Sequence, residues 1–91
     1  MKKNYRFITD PGHGWLEVPV ADILGLKIAC YISTYSYFNN GKAYLEEDCD
    51  AAKFIQAAQA AGWVVTFTDV YQDPTPIRDY PSFPSALLGV L

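Results

Sequence analysis

Between Tyr31 and Ala61 (YISTYSYFNNGKAYLEEDCDAAKFIQAAQAA) the hydrophobic pattern changes period, from strand-like alternation to helical spacing. Asn40-Gly41 sits in the middle of the alternating part. That dipeptide is the strongest short hairpin signal, because a type I′ turn needs positive φ at both central residues. Centring the turn there sets Asn39 opposite Lys42, Phe38 opposite Ala43, Tyr37 opposite Tyr44, Ser36 opposite Leu45 and Tyr35 opposite Glu46. Successive side chains leave a strand on opposite faces. One face of the predicted hairpin carries Cys30, Ile32, Thr34, Ser36 and Phe38 with Ala43 and Leu45, and is expected in the core. The other carries Tyr31, Ser33, Tyr35 and Tyr37 with Tyr44 and Glu46, and is expected to meet solvent or a partner. A slip of one residue would exchange the two faces.

The pattern extends in both directions. Tyr5–Thr9 is aromatic and β-branched and predicts a first strand. Asp10-Pro11-Gly12-His13-Gly14 predicts a turn, and Trp15–Val18 a second strand antiparallel to the first. Pro19 suits the first turn of a short helix over Val20–Leu24, with Gly25 as its stop; Leu26 and Ile28 lead into the long hairpin strand. Beyond the hairpin, Ala51, Phe54, Ile55, Ala58 and Ala61 recur at helical spacing, with Lys53, Gln56 and Gln59 turned to water. Asp48 or Asp50 can accept hydrogen bonds from the free N–H groups where that helix starts, and Gly62 ends it. Trp63–Val70 alternates again, with Trp63, Val65 and Phe67 on one face. From Gln72 onward the prolines at 74, 76, 81 and 84 exclude a central strand or a long helix. Tyr71, Ile77, Tyr80 and Phe83 are spaced apolar anchors in that stretch. The expected fold is α+β: an antiparallel sheet of about five strands, one main helix packed on one face, one short helix and a proline-rich C-terminal tail. One domain of 91 residues is expected, compact over 5–70 and extended over 71–91.

Charge and composition narrow the function classes more than the fold. The net charge is −3 and no basic stripe is present, so direct binding to nucleic acid is not expected. An acidic protein can still dock on the basic, nucleic-acid-binding surface of another protein. Cys30 and Cys49 do not make a disulfide framework. The start, MKKNYRFITD, lacks the apolar segment of a signal peptide, and no stretch approaches a membrane span. A cytoplasmic protein with both thiols free is expected.

Few residues carry catalytic chemistry. His13, flanked by Gly12 and Gly14, lies in a loop where a ligand could approach closely, though a lone histidine in a turn is usually exposed or bonded to its own loop. One His and two distant Cys lack any zinc-ligand spacing. The acidic run Glu46-Glu47-Asp48-Cys49-Asp50 could hold a divalent cation with Asp10 or Glu17, but a helix start attracts negative charge without a metal. Cys49 with His13 as base would make a nucleophile, against the repulsion of Asp48 and Asp50. No phosphate-cradling glycine loop or nucleophile elbow occurs. Neither metal nor cofactor is expected. The tyrosine face remains. Cross-strand pairing accounts for Tyr37 beside Tyr44, and a recognition surface is the sharper alternative. An apolar patch of that size needs cover, and the chain's own tail is one candidate.

Two blocks, Phe7 to Pro19 (FITDPGHGWLEVP) and Tyr35-Ser-Tyr37 followed by Tyr44 to Ala51 (YLEEDCDA), resemble a family of small uncharacterised proteins carried by bacteriophages, prophages and plasmids. The resemblance spans roughly residues 5–83; the SALLGVL end is additional. It implies a mobile-element setting and no mechanism, and short acidic proteins of such elements often block host defence by binding. Three functions follow as expectations. The first is a non-catalytic protein-binding accessory protein, an inhibitor of a host defence component, with contact residues Tyr35, Tyr37, Tyr44, Glu46, His13, Trp15 and Glu17. The second is a small-ligand or nucleotide-signal binder, homo-oligomeric, with Arg78 pairing a phosphate. The third is a small Cys/His or metal-dependent hydrolase.

Overall fold

Asn40 and Gly41 both take positive φ, 51° and 74°, and close a hairpin in the predicted register. In the computed structural model, which describes residues 1–85, the chain runs β1 (Lys2–Thr9), β2 (Gly14–Pro19), α1 (Val20–Gly25), β3 (Tyr37–Asn39), β4 (Lys42–Glu46), α2 (Ala51–Ala60) and β5 (Val64–Tyr71). Single turns of 3-10 helix occupy Ala29–Tyr31 and Ile77–Asp79. The architecture is α+β with a five-stranded sheet in the order β3-β4-β2-β1-β5. No α-helix among the described residues is long and apolar enough to cross a membrane.

The sheet is mixed rather than antiparallel throughout. β5 runs parallel to β1, with Tyr5 opposite Phe67 and Ile8 opposite Val70. The cause is the crossover: α2 carries the chain across the sheet and returns it to the end where β4 began, so β5 repeats the direction of β4 and of β1. Alternation in a sequence reports which face a residue takes, not strand direction.

The predicted long strand before the turn is also corrected. Only Tyr37–Asn39 pairs with β4. Residues 29–36 fold into a 3-10 turn and a loop, because Ser33 and Ser36 bond a buried carboxylate instead of a strand ladder. α1 is stopped not by Gly25 but by Lys27, which takes positive φ (59°) just after the helix.

Two cores flank the sheet. On one side Phe54, Ala51 and Ala58 of α2 share a cluster with Tyr5, Leu16, Val18, Ala43 and Leu45, and Phe54 meets the Tyr5 ring edge-on at 5.3 Å. On the other, Ile8, Trp15 and Tyr44 are closed over by Ile77 and Tyr80. The segment after β5, expected as an extended tail, thus folds back on the sheet. Phe83 is buried in the first cluster, and its N–H donates to the Ser36 carbonyl at 2.8 Å. The remainder of the SALLGVL end, residues 86–91, lies outside the described residues.

Candidate functional site

Six of the eight residues expected at a binding site, His13, Trp15, Tyr35, Tyr37, Glu46 and Arg78, line one open cleft of about 260 Å³. They arrive from the β1–β2 turn, β2, the loop before β3, β3, the end of β4 and the second 3-10 turn. Asp10 organises the first wall. Its carboxylate accepts from the N–H groups of Gly12 (2.9 Å) and His13 (2.8 Å), which fixes the turn. The same carboxylate receives the Arg78 guanidinium through Nε to Oδ2 at 2.9 Å and Nη2 to Oδ1 at 3.0 Å, a bidentate pair. Desolvation pushes the Asp10 carboxyl up, but the bonds from Arg78, Gly12 and His13 together outweigh it and hold it below the ordinary carboxylate range.

Arg78 also reaches His13, with Nη2 2.8 Å from Nδ1. A guanidinium only donates, so Nδ1 must accept; inferred from this bond, the imidazole is neutral with its proton on Nε2. The imidazole stacks on Trp15 at 5.9 Å and 17°, and the guanidinium carbon lies 5.5 Å from the centre of the same indole. Trp15 is therefore the buried floor of the wall rather than a free contact.

Another carboxylate, this one fully buried, organises the opposite wall. Asp50, at the start of α2, does not cap its own helix, contrary to expectation. It is 0% exposed and accepts from Ser33 N (3.1 Å), Ser33 Oγ (2.7 Å), Ser36 Oγ and Lys53 Nζ (3.0 Å). Ser36 Oγ in turn accepts from Glu46 N at 3.0 Å, so the cluster joins the loop to the end of β4. Desolvation raises the Asp50 carboxyl, and the serine and lysine bonds overcome that and lower it. The cluster pins residues 33–36, and Tyr35 projects from that loop 73% exposed.

The remaining two expected residues lie elsewhere. Tyr44 is 7% exposed and packs against Tyr80, ring centres 5.2 Å apart. Burial first, and then the Glu17 charge, push its phenol up to about 12. Glu17 is buried between Arg6 (3.0 and 2.9 Å) and Lys42 (3.6 Å). The two bonds from Arg6 outweigh its desolvation and lower its carboxyl. Tyr44 is covered by Ile77 and Tyr80, whereas Glu17 is held down by its two basic partners away from the cleft.

The cleft thus presents two phenols, the Glu46 carboxylate and an imidazole N–H, with its one guanidinium already paired. The histidine lone pair that a general base would need is occupied. Cys49 donates instead to Ser33 Oγ at 3.6 Å, within the Asp50 cluster. Among the described residues, no group of three or more His, Cys, Asp and Glu is placed to hold a metal ion. Compared with known proteins, the chain matches no family model, no curated protein and no solved structure.

Proposed function

We propose that this chain is a non-catalytic binding protein of a phage or other mobile element, acting in the host cytoplasm on a host protein, with a defence component as its target. The scaffold in this reading is α2 as the one main helix across one sheet face, with the proline-rich segment closing the other. The observation that carries it is the convergence of Tyr35, Tyr37, Glu46 and His13 on one open cleft whose one guanidinium and imidazole lone pair are already spoken for. One exposed and one half-buried tyrosine beside a carboxylate suit a basic side chain, which gains from both the ring faces and the charge. An acidic chain with such a site fits the basic surface of a nucleic-acid-processing complex.

Nucleotide binding is the weaker reading. Arg78 would have to leave Asp10 and His13 to pair a phosphate, and about 260 Å³ lies below the usual range for small-molecule pockets. The test is affinity capture from host extract, identified by mass spectrometry, comparing the natural chain with Tyr35→Ala and Glu46→Lys. Both positions can change without opening the core, so capture should fall sharply at an unchanged thermal midpoint. Undiminished capture by both variants would overturn the proposal.

A further inference from the structure

The two edges of the sheet are finished differently. The outer edge of β3 is taken by the chain's own C-terminal segment: Phe38 N–H donates to the Pro81 carbonyl at 2.9 Å, and Tyr37 bridges Ser82. β5 forms the other edge, and among the described residues nothing pairs its outer side. Val64 N–H donates inward to the Met1 carbonyl and Gln72 N–H to the Thr9 carbonyl. Backbone groups alternate sides along a strand, so Val65, Phe67, Asp69 and Tyr71 turn their N–H and C=O groups outward.

This edge has none of the usual protection. It is eight residues long, has no lysine, proline or bulge, and carries one charge, Asp69. Phe67 is 45% exposed and Tyr71 66%. Beside it lies an apolar groove of about 230 Å³ lined by Phe7, Leu16, Ala51, Ile55, Phe67 and Asp69.

We propose that β5 pairs antiparallel with β5 of a second copy of this chain about a two-fold axis, Phe67 opposite Phe67. Such an axis stands perpendicular to the joined sheet, so only residues of like face can oppose one another. Centring on Phe67 sets Val65 opposite the second copy's Asp69 and Trp63 opposite its Tyr71. Phe67, Val65 and Asp69 all point their backbone groups outward, so each such pair exchanges both hydrogen bonds. Charge selects this centre over its neighbours. Lys3 flanks Val65 on the inner side, on the same face. The second copy's Asp69 therefore lies two strand spacings from Lys3, about 9.5 Å, adding a second carboxylate to the one Lys3 already meets in Asp22 at 3.4 Å. A centre at Asp69 would set two carboxylates face to face, which is repulsive. A centre at Thr68 would move Asp69 away from Lys3 to sit opposite Phe67.

Two five-stranded sheets become one continuous sheet, with the Phe67 rings adjoining over the grooves beside Ile55. The cleft lies toward the opposite edge, so the dimer carries two clefts and a bivalent partner would gain avidity.

The test uses the full chain without any partner. Sedimentation equilibrium should give a dimer, and Phe67→Lys should raise its dissociation constant by about 30-fold or more, as loss of a central contact does. Oxidation of Phe67→Cys in a Cys30→Ser background should give a covalent dimer, because hydrogen-bonded antiparallel pairs place Cα atoms about 5.5 Å apart, within disulfide reach. Val65→Cys alone should not crosslink, and Val65→Cys with Asp69→Cys should. A monomer at all concentrations overturns the proposal, as does a dimer indifferent to Phe67→Lys or one that crosslinks in another register.

Discussion

Replacing Asp50 with alanine removes the acceptor for four donors at once. Ser36 is fully buried and loses its Oγ–H partner; Ser33, half-buried, loses partners for N–H and Oγ–H. Lys53 is 43% exposed and recovers its hydration. A buried donor left unmade costs about 1–3 kcal/mol, less where water can enter. Summed over one buried and two half-buried donors, the loss is about 3–5 kcal/mol, the range seen when one partner of a buried ionic group is removed. That is a large share of the roughly 5–15 kcal/mol typical of a domain. In urea, with a slope near about 1.5 kcal/mol/M, the midpoint should fall by about 2–3 M, read from tryptophan fluorescence. Asp50→Asn keeps one carbonyl for the serines but turns an NH2 toward donors, and should lose about half as much. The acid side follows the same logic. The folded carboxyl lies below its unfolded value of about 3.9, so its stabilisation is complete above that pH. It fades as pH falls further, through the lowered folded value. A loss under about 1 kcal/mol for Asp50→Ala would refute this account of the loop.

Other consequences are quickly checked. Phe83→Ala should cost about 3–5 kcal/mol by urea denaturation, as for any fully buried phenylalanine; a neutral result would mean the C-terminal segment does not fold back. Gly14→Ala should cost about 1–3 kcal/mol by the same assay, because a Cβ there would sit 2.8 Å from Phe7 Cζ. Ultraviolet titration should show Tyr44 ionising near 12, with a Tyr44→Phe difference. Because its folded value is raised, its share of stability is complete below about 10 and disappears as pH rises through about 12.

The hairpin register, α2 and the faces of β5 were legible because period and turn chemistry are local. Asn40-Gly41 needs only its own backbone, and Phe54 and Ala58 need only helical spacing. The cleft was legible in its members but not in its depth: Trp15 and Tyr44 read as surface because nothing local says that Ile77 and Tyr80 will cover them, and Glu17 because nothing local says that Arg6 and Lys42 will close on it. The direction of β5 was hidden for the same reason, being fixed by the crossover. Ser33 and Ser36 misled most. Their alternation suggested a strand, whereas their hydroxyls are bound to a carboxylate 14 residues beyond Ser36. Asp10 looked like an ordinary turn residue, and its second bond, to Arg78, spans 68 positions.

Amide hydrogen exchange of the natural chain, with and without the captured host protein, tests the cleft most directly. The account predicts new protection at His13, Tyr35–Tyr37 and Glu46, with β5 unchanged by the partner. Protection confined to β5 or α2, with those residues exchanging as freely as before, would contradict it.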